Sequence, residues 1–393
     1  MKNCRLFIII LFVAAQTFAQ KDRTITFSGL FESSVSANAG AGEAPPVSYG
    51  LEEYANIRMQ ANIGEKATFF SAVNLLAAAG DYALKISAQE SQYVMGIIDS
   101  GQNYASLMEL ERLFFRIKSE TINFDAGLMR LPFGFSNVWG SCDFLNPKNP
   151  IKPDARPRAV LGGGLSWFPI DDFKLQTFAV SGKDPLDATG GIGGISIDRH
   201  WEKASVQTIY AFEHSENFPS TVSNPWTHRI GMSAKVDLEL GFVLDMLYAI
   251  NKDIKYGEDG LSLSAGFDYS LFNAKLIILA EYLYSGSASS TSIAGGGSFM
   301  NKNYLYGGIT WRFSDFTNIG LSLISGFDDS SFMPITTFEH QISNGITLSV
   351  IAQIHIDKNL FNDDGNYGEL GPRPFGINAG SYFNLQTKIK VKF

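Results

Sequence analysis

Cysteine is scarce in this chain, with Cys4 and Cys142 alone in 393 residues. Two thiols cannot staple a polypeptide of this length, so the disulfide-rich scaffolds are excluded. Histidine is nearly as rare. The five, at positions 200, 214, 228, 340 and 355, never fall at metal-ligand spacing. No GxSxG, HExxH, CxxC or Walker A text occurs. The run Gly191-Ile192-Gly193-Gly194-Ile195-Ser196 fails the dinucleotide fingerprint at its last position and leads into a strand. Asn362-Asp363-Asp364-Gly365-Asn366 misses a calcium loop, because Leu360 stands where the first carboxylate belongs. No cofactor, no metal and no enzymatic activity are expected. Charge is low too, at 18% against about 25% in soluble domains. A formal net charge of −8 excludes the basic footprint of a nucleic-acid binder.

Long apolar runs are also missing. Beyond residue 19 the most apolar stretches, 240–250 and 276–283, are interrupted by Asp245 and Glu281. They fall well short of the roughly 18 residues that a helical span needs. Before residue 19 the layout is that of a secretory signal peptide: Lys2 and Arg5, an apolar run over 6–15, then Thr17-Phe18-Ala19. We expect cleavage after Ala19, giving a signal peptide 1–19 and an exported chain 20–393. Cys142 then remains as the single thiol, and loss of Lys2 and Arg5 leaves 29 basic against 39 acidic residues, or −10.

What the chain has in plenty is glycine, with 38, and aromatic residues, with 31 Phe and 15 Tyr. They are arranged with period two. Near the end, Phe383, Leu385, Thr387, Ile389, Val391 and Phe393 share one parity, while Asn384, Gln386, Lys388, Lys390 and Lys392 share the other. A strand sends alternate side chains to opposite faces, so this one has an apolar face and a cationic face. Ala55, Ile57, Met59 and Ala61 likewise oppose Asn56, Arg58 and Gln60, and 226–236, 261–270 and 346–356 repeat the pattern. About ten residues of such alternation is the dyad signature of a transmembrane barrel strand. Short breaks near 64, 119, 170, 201, 237, 272, 315 and 343 alternate with long ones, the rhythm of short periplasmic turns and long extracellular loops.

The fold class expected is all-β, an antiparallel up-and-down transmembrane barrel of about eighteen strands with both termini periplasmic. One strand resists, since over 108–118 Glu109 and Glu111 share one parity and Arg112 and Arg116 the other. A bulge near Glu111 and Arg112 restores an outer face of Leu113, Phe115 and Ile117. Sixteen to eighteen strands leave an aqueous channel. The lumen-facing, pore-lining set then includes Arg58, Arg112, Arg116, Asp125, Lys174, Arg229, Lys235 and Asp268, and we expect a charged constriction. Two long loops, 77–105 and 132–157, are candidates to fold inward. Asn146-Pro147 and Asn149-Pro150 stiffen the second, and Asp143 in it is expected to work with Arg112 and Arg116 as the selectivity group.

The text Asp125-Ala126-Gly127-Leu128-Met129-Arg130, then Trp139-Gly140, Asp143 and Asn146-Pro147, resembles a loop of bacterial outer-membrane porin-like barrels of the alginate-export type. The resemblance covers about forty residues and departs from that pattern by the insertion 132–137 and by lacking an obvious basic ladder. The closing Phe393 is similar to the C-terminal signal of outer-membrane barrels, which implies the barrel-assembly machinery as a partner during insertion.

The function expected is passive diffusion of small hydrophilic solutes across the cell outer membrane, with outer-membrane lipid around the barrel and a homo-oligomer left open. Two other readings stand beside it: a surface-exposed structural or adhesin barrel with a plugged lumen, and an outer-membrane barrel hydrolase using His228 near Ser223.

Overall fold

The computed structural model describes residues 23–40, 47–80, 94–100, 103–148, 150, 157, 159–181, 190–215, 226–251, 260–286, 301–328, 330–356 and 381–393. The expected signal peptide 1–19 lies outside them. The first strands are β1 (Arg23–Gly40), β2 (Val47–Ile63), β3 (Ala67–Ala79), β4 (Val94–Ser100), β5 (Tyr104–Lys118) and β6 (Ile122–Met129). Next come β7 (Val160–Ile170), β8 (Phe173–Ser181), β9 (Gly190–His200), β10 (Ala204–Ser215), β11 (Trp226–Asp237) and β12 (Leu240–Ile250). The remainder are β13 (Leu261–Leu271), β14 (Leu276–Ser285), β15 (Asn303–Ser314), β16 (Thr317–Gly326), β17 (Ser331–Ser343), β18 (Ile346–Ile354) and β19 (Ser381–Lys392). All pairings are antiparallel and run between sequence neighbours, except that β3 pairs with β5 and β1 with β19. Leaving out β4, eighteen strands close into a barrel, as the alternation predicts. Closure matters because an open sheet edge cannot be satisfied in hydrocarbon.

Side chains follow the parity read from the sequence. On β1, Phe27, Phe31 and Val35 are exposed outward, whereas Ser34, Ser36 and Asn38 are buried inward. On β11, Trp226, Ile230 and Met232 point out while Thr227 and Ser233 point in. The troublesome strand β5 carries the expected bulge. Ala72 pairs with Arg112 and Val73 with Leu110, so Glu111 is the extra residue. It turns Glu109 and Glu111, and then Arg112 and Arg116, to the same inner face.

The expectation that 77–105 folds inward is not met over residues 94–100. Part of that stretch is β4, which pairs with residues 105–109 of β5 on the edge opposite β3. The physical reason is a vacant edge. β6 pairs only with residues 113–118 of β5 and ends at Met129, so the rest of that edge is free to take another strand. Residues 81–93 lie outside the described set.

Strands that back the lumenal chain depart from simple alternation, β12 and β14 among them. β12 buries Val243, Leu247 and Ala249 inward while exposing Phe242, Met246 and Ile250 outward, and β14 buries Leu283 beside Glu281. These strands have two apolar faces because the inner one is covered by chain that leaves the wall after β6. On the outer face, Ile309 lies midway along β15 and is exposed. Ile309→Arg is expected to destabilise the barrel in lipid vesicles by about 2–4 kcal/mol, the cost of a cation at the bilayer midplane. Denaturant titration in vesicles measures it, with the inward Gln386→Lys as a comparison that shifts the midpoint far less.

Candidate functional site

After Met129 the chain turns into the lumen and follows the inner wall. Irregular backbone at this depth has no ladder to join, so each N–H needs another acceptor. The wall supplies them one strand pair at a time. The Gly134 N–H donates to Gln207 Oε1 on β10 at 2.7 Å. The Phe135 and Ser136 N–H groups donate to Asp245 Oδ1 and Oδ2 on β12 at 2.9 and 3.2 Å. Those of Asn137, Val138 and Trp139 donate to Glu281 on β14 at 2.9, 3.1 and 2.9 Å. Six consecutive backbone donors thus end on three wall side chains. The Ser136 hydroxyl also donates to Glu281 and itself accepts from the Gly140 N–H at 2.8 Å. Gly134 sits at φ +85°, and a Cβ there would meet Asp245 Oδ2 at 2.3 Å, so only glycine lets the backbone approach this closely.

Packing completes the dock. Leu131, Phe133, Cys142 and Leu145 bury against Phe178, Val180, Ile209 and Leu247 of the wall. Trp139 packs on Tyr304 and joins Leu283, Ile324 and Met333, and its indole N–H donates to the Glu281 backbone carbonyl at 2.9 Å. The return arm folds back on the outgoing one: Phe144 stacks on Phe133, and the Leu131 N–H donates to Asn146 Oδ1 at 2.8 Å. Lys148 donates to the Ser136 carbonyl and lies against Gly140, which adopts φ +60°. Pro147 is exposed at the end of this arm. The motif residues Trp139, Gly140, Asp143 and Asn146 are therefore parts of one docked loop.

The expected pore residues are dispersed by this arrangement. Arg116 makes a bidentate pair with Asp125 across β5 and β6, at 2.5 and 2.9 Å. Arg112 stands over the Phe70 ring at 4.6 Å, with its Nε 3.5 Å from Glu111. Arg58 donates to Asn56 Oδ1 at 2.5 Å, and Lys235 pairs with Asp237 at 3.0 Å. Asp268 stands opposite Gly241. Arg229 pairs with Glu213 and lies 5.4 Å over the ring of Phe144, while Lys174 pairs with Asp198, so both act toward the loop. Arg130 reaches Glu111 at 3.0 Å where the chain leaves the wall.

Asp143 does not face Arg112 and Arg116. It is buried within the loop, where it accepts from the Asn146 N–H at 3.2 Å. Asp245, Glu281 and Gln207 carry the site without having been singled out for it. For Asp245 and Glu281 the signal was an acid in the middle of an apolar stretch, whereas Gln207 lies in an ordinary alternating strand. Among the described residues no cluster of His, Cys, Asp or Glu could hold a metal.

No family model and no curated protein matches this chain. Solved structures do. OccAB2 of Acinetobacter baumannii aligns with a TM-score of 0.57 at 10% identity, over 94% of this chain and 98% of that one. A BenF-like porin from Pseudomonas fluorescens aligns at 0.55 and 9%, over 95% and 98%. OpdQ of Pseudomonas aeruginosa aligns at 0.54 and 11%, over 95% and 99%. At such identities the likeness is one of fold: this chain folds as outer-membrane porin barrels do. The alginate-export specification gains no support, and the WG…D…NP text has a physical explanation in loop docking.

Removing the Glu281 carboxylate leaves three backbone donors and a hydroxyl without an acceptor. Glu281→Ala should therefore cost at least about 4 kcal/mol at about 1–3 kcal/mol per unsatisfied group, read by denaturant unfolding in detergent. A second expectation concerns pH. Burial pushes the Asp143 carboxyl up to about 7, opposed by the N–H groups of Asn146 and Phe133 and by Lys148, and aided by Asp245. The folded state then holds a proton that the unfolded chain has released, so stability falls as pH rises from about 4 to about 7. Asp143→Asn should flatten that window, seen as a smaller difference in unfolding midpoint between pH 4.5 and 7.5 than in the wild type.

Proposed function

We propose that this chain is an outer-membrane porin through which small hydrophilic solutes diffuse passively down their gradient. The observation that carries the reading is a closed eighteen-stranded wall, apolar outside, whose inner face is narrowed on one side by a docked loop. Barrels of this strand number enclose a lumen too wide for wall side chains alone to fill. The loop takes up the arc from β8 to β17, and the arc from β18 and β19 through β1 to β5 faces it. That arc bears Arg58, Arg112, Arg116, Lys388 and Lys390 among Ser, Asn and Gln. These cations are partly neutralised: Lys388 lies 3.6 Å from Glu32 and Lys390 3.8 Å from Glu339. The constriction is thus a mixed-charge gap between a polar wall and a loop, a field that biases small ions without binding them tightly. The chain reaches its membrane by export, with outer-membrane lipid around it and the barrel-assembly machinery inserting it. No cofactor takes part.

Single-channel recording in planar bilayers tests this. Discrete steady conductance steps are expected. A folded, heat-modifiable barrel that conducts nothing would favour the plugged structural or adhesin reading. The half-exposed Arg116, with 39% of its side chain accessible, is the constriction cation chosen for charge reversal. Arg116→Glu should move the reversal potential in a salt gradient toward cations, and an unchanged reversal potential would remove Arg116 from the selectivity role.

A further inference from the structure

Lys174 was first read as a lumen cation, but its surroundings give it a different task. It lies next to the short turn that begins β8, with 27% of its side chain exposed, and its ammonium is 2.5 Å from Asp198 Oδ2 on β9. The Asp198 side chain is 5% exposed. Its other oxygen accepts from Gln207 Nε2 at 2.8 Å, and Gln207 Oε1 accepts from the Gly134 N–H at 2.7 Å. The four groups form one line from the mouth of the barrel to the first pinned amide of the loop.

The chemistry of each link is directional. A glutamine amide presents an acceptor at one end and donors at the other, and a half-turn exchanges them. The Gly134 N–H is a donor only, so the bond forms only when the amide oxygen faces it. The Asp198 carboxylate is an acceptor only and takes the amide nitrogen, which selects that orientation. A carboxylate in a site of low polarity is held there only beside a countercharge, and Lys174 is the cation in contact with it. Gly134 also directly precedes the donors held by Asp245 and Glu281, and the wall leaves it no room to shift.

We propose that Lys174 is a positioning residue of the constriction, acting on the loop through Asp198 and Gln207 instead of on the solute by its own charge. This rests on the porin reading only in taking the loop as the element that sets channel width. Without the ammonium, the Asp198 carboxylate is left buried without a countercharge and turns away from Gln207, whose amide is then free to face the Gly134 N–H with its NH2, and the first anchor of the loop is lost.

The test is a double-mutant cycle on the full barrel in detergent, read by hydrogen exchange of the amides over 131–139. Lys174→Met and Gln207→Leu are each expected to speed exchange about tenfold, the loss of one hydrogen bond. The double variant should exchange no faster than either single one, because both cut the same line. Asp198→Asn removes the buried charge and keeps an acceptor for Gln207, so it should restore protection in the Lys174→Met background. Wild-type exchange in Lys174→Met, or effects of the two substitutions that add, would overturn the proposal. Exchange does not depend on conduction. A protected loop in a barrel that passes no current would sink the porin reading and leave the relay standing, whereas a conducting barrel with additive effects would do the reverse.

Discussion

The whole interior depends on one constraint: a backbone N–H that leaves a β-ladder inside a membrane barrel must find another acceptor. The chain leaves the ladder after Met129 and meets the requirement with three side chains, Gln207, Asp245 and Glu281, that stand on alternate strands of the neighbouring wall. Because β10, β12 and β14 are successive rungs around the cylinder, the loop runs along the wall instead of straight across. The bonds that end on Asp245 and Glu281 are charge-assisted, worth about twice neutral ones, and bonds to charged groups contribute about 1.5–3 kcal/mol each. The acids are therefore strong enough to hold a segment that has no secondary structure of its own.

The loop's hold on the wall accounts for features elsewhere. β12 and β14 are apolar on both faces because one meets lipid and the other meets Phe133, Cys142 or Trp139. β6 stops early so that the chain can turn inward, and the edge of β5 that it leaves vacant takes β4. Most of the charged wall residues near the loop are spent on holding it, as with Lys174 and Arg229. What remains open to the lumen is the opposite arc, where cations are interleaved with amides and hydroxyls.

Much of the fold was legible in the sequence, for a physical reason. Lipid outside and water inside impose strict alternation wherever the lumen is open, so 55–61, 226–236 and 383–393 declare both their structure and their faces. Even the bulge at Glu111 could be placed, because two acids and two arginines on opposite parities cannot both face lipid. The site was legible only in outline. The loop from Trp139 to Pro147 stood out by its text, but Asp143 was assigned to the lumen when it is a strut inside the loop. The anchors were overlooked because an acid within an apolar run was used only to exclude a helical span. In a barrel strand the same pattern has a second meaning: inward apolar residues imply that something covers them, and a single acid among them supplies acceptors for irregular chain. The loop 77–105 misled in the other direction, since no local pattern says that an edge of β5 is vacant until the length of β6 is known.

Cys142 tests the central claim most directly, since it is a native thiol of the loop itself, fully buried against β11 and β12. Burial also pushes its thiol up to about 12, which suppresses the reactive thiolate. If the wall carboxylates hold the loop, a thiol-reactive probe will leave Cys142 unlabelled in the folded wild-type barrel. It will label it in an Asp245→Ala, Glu281→Ala variant whose barrel remains heat-modifiable. Rapid labelling of the wild type, or continued protection in the double variant, would contradict the account.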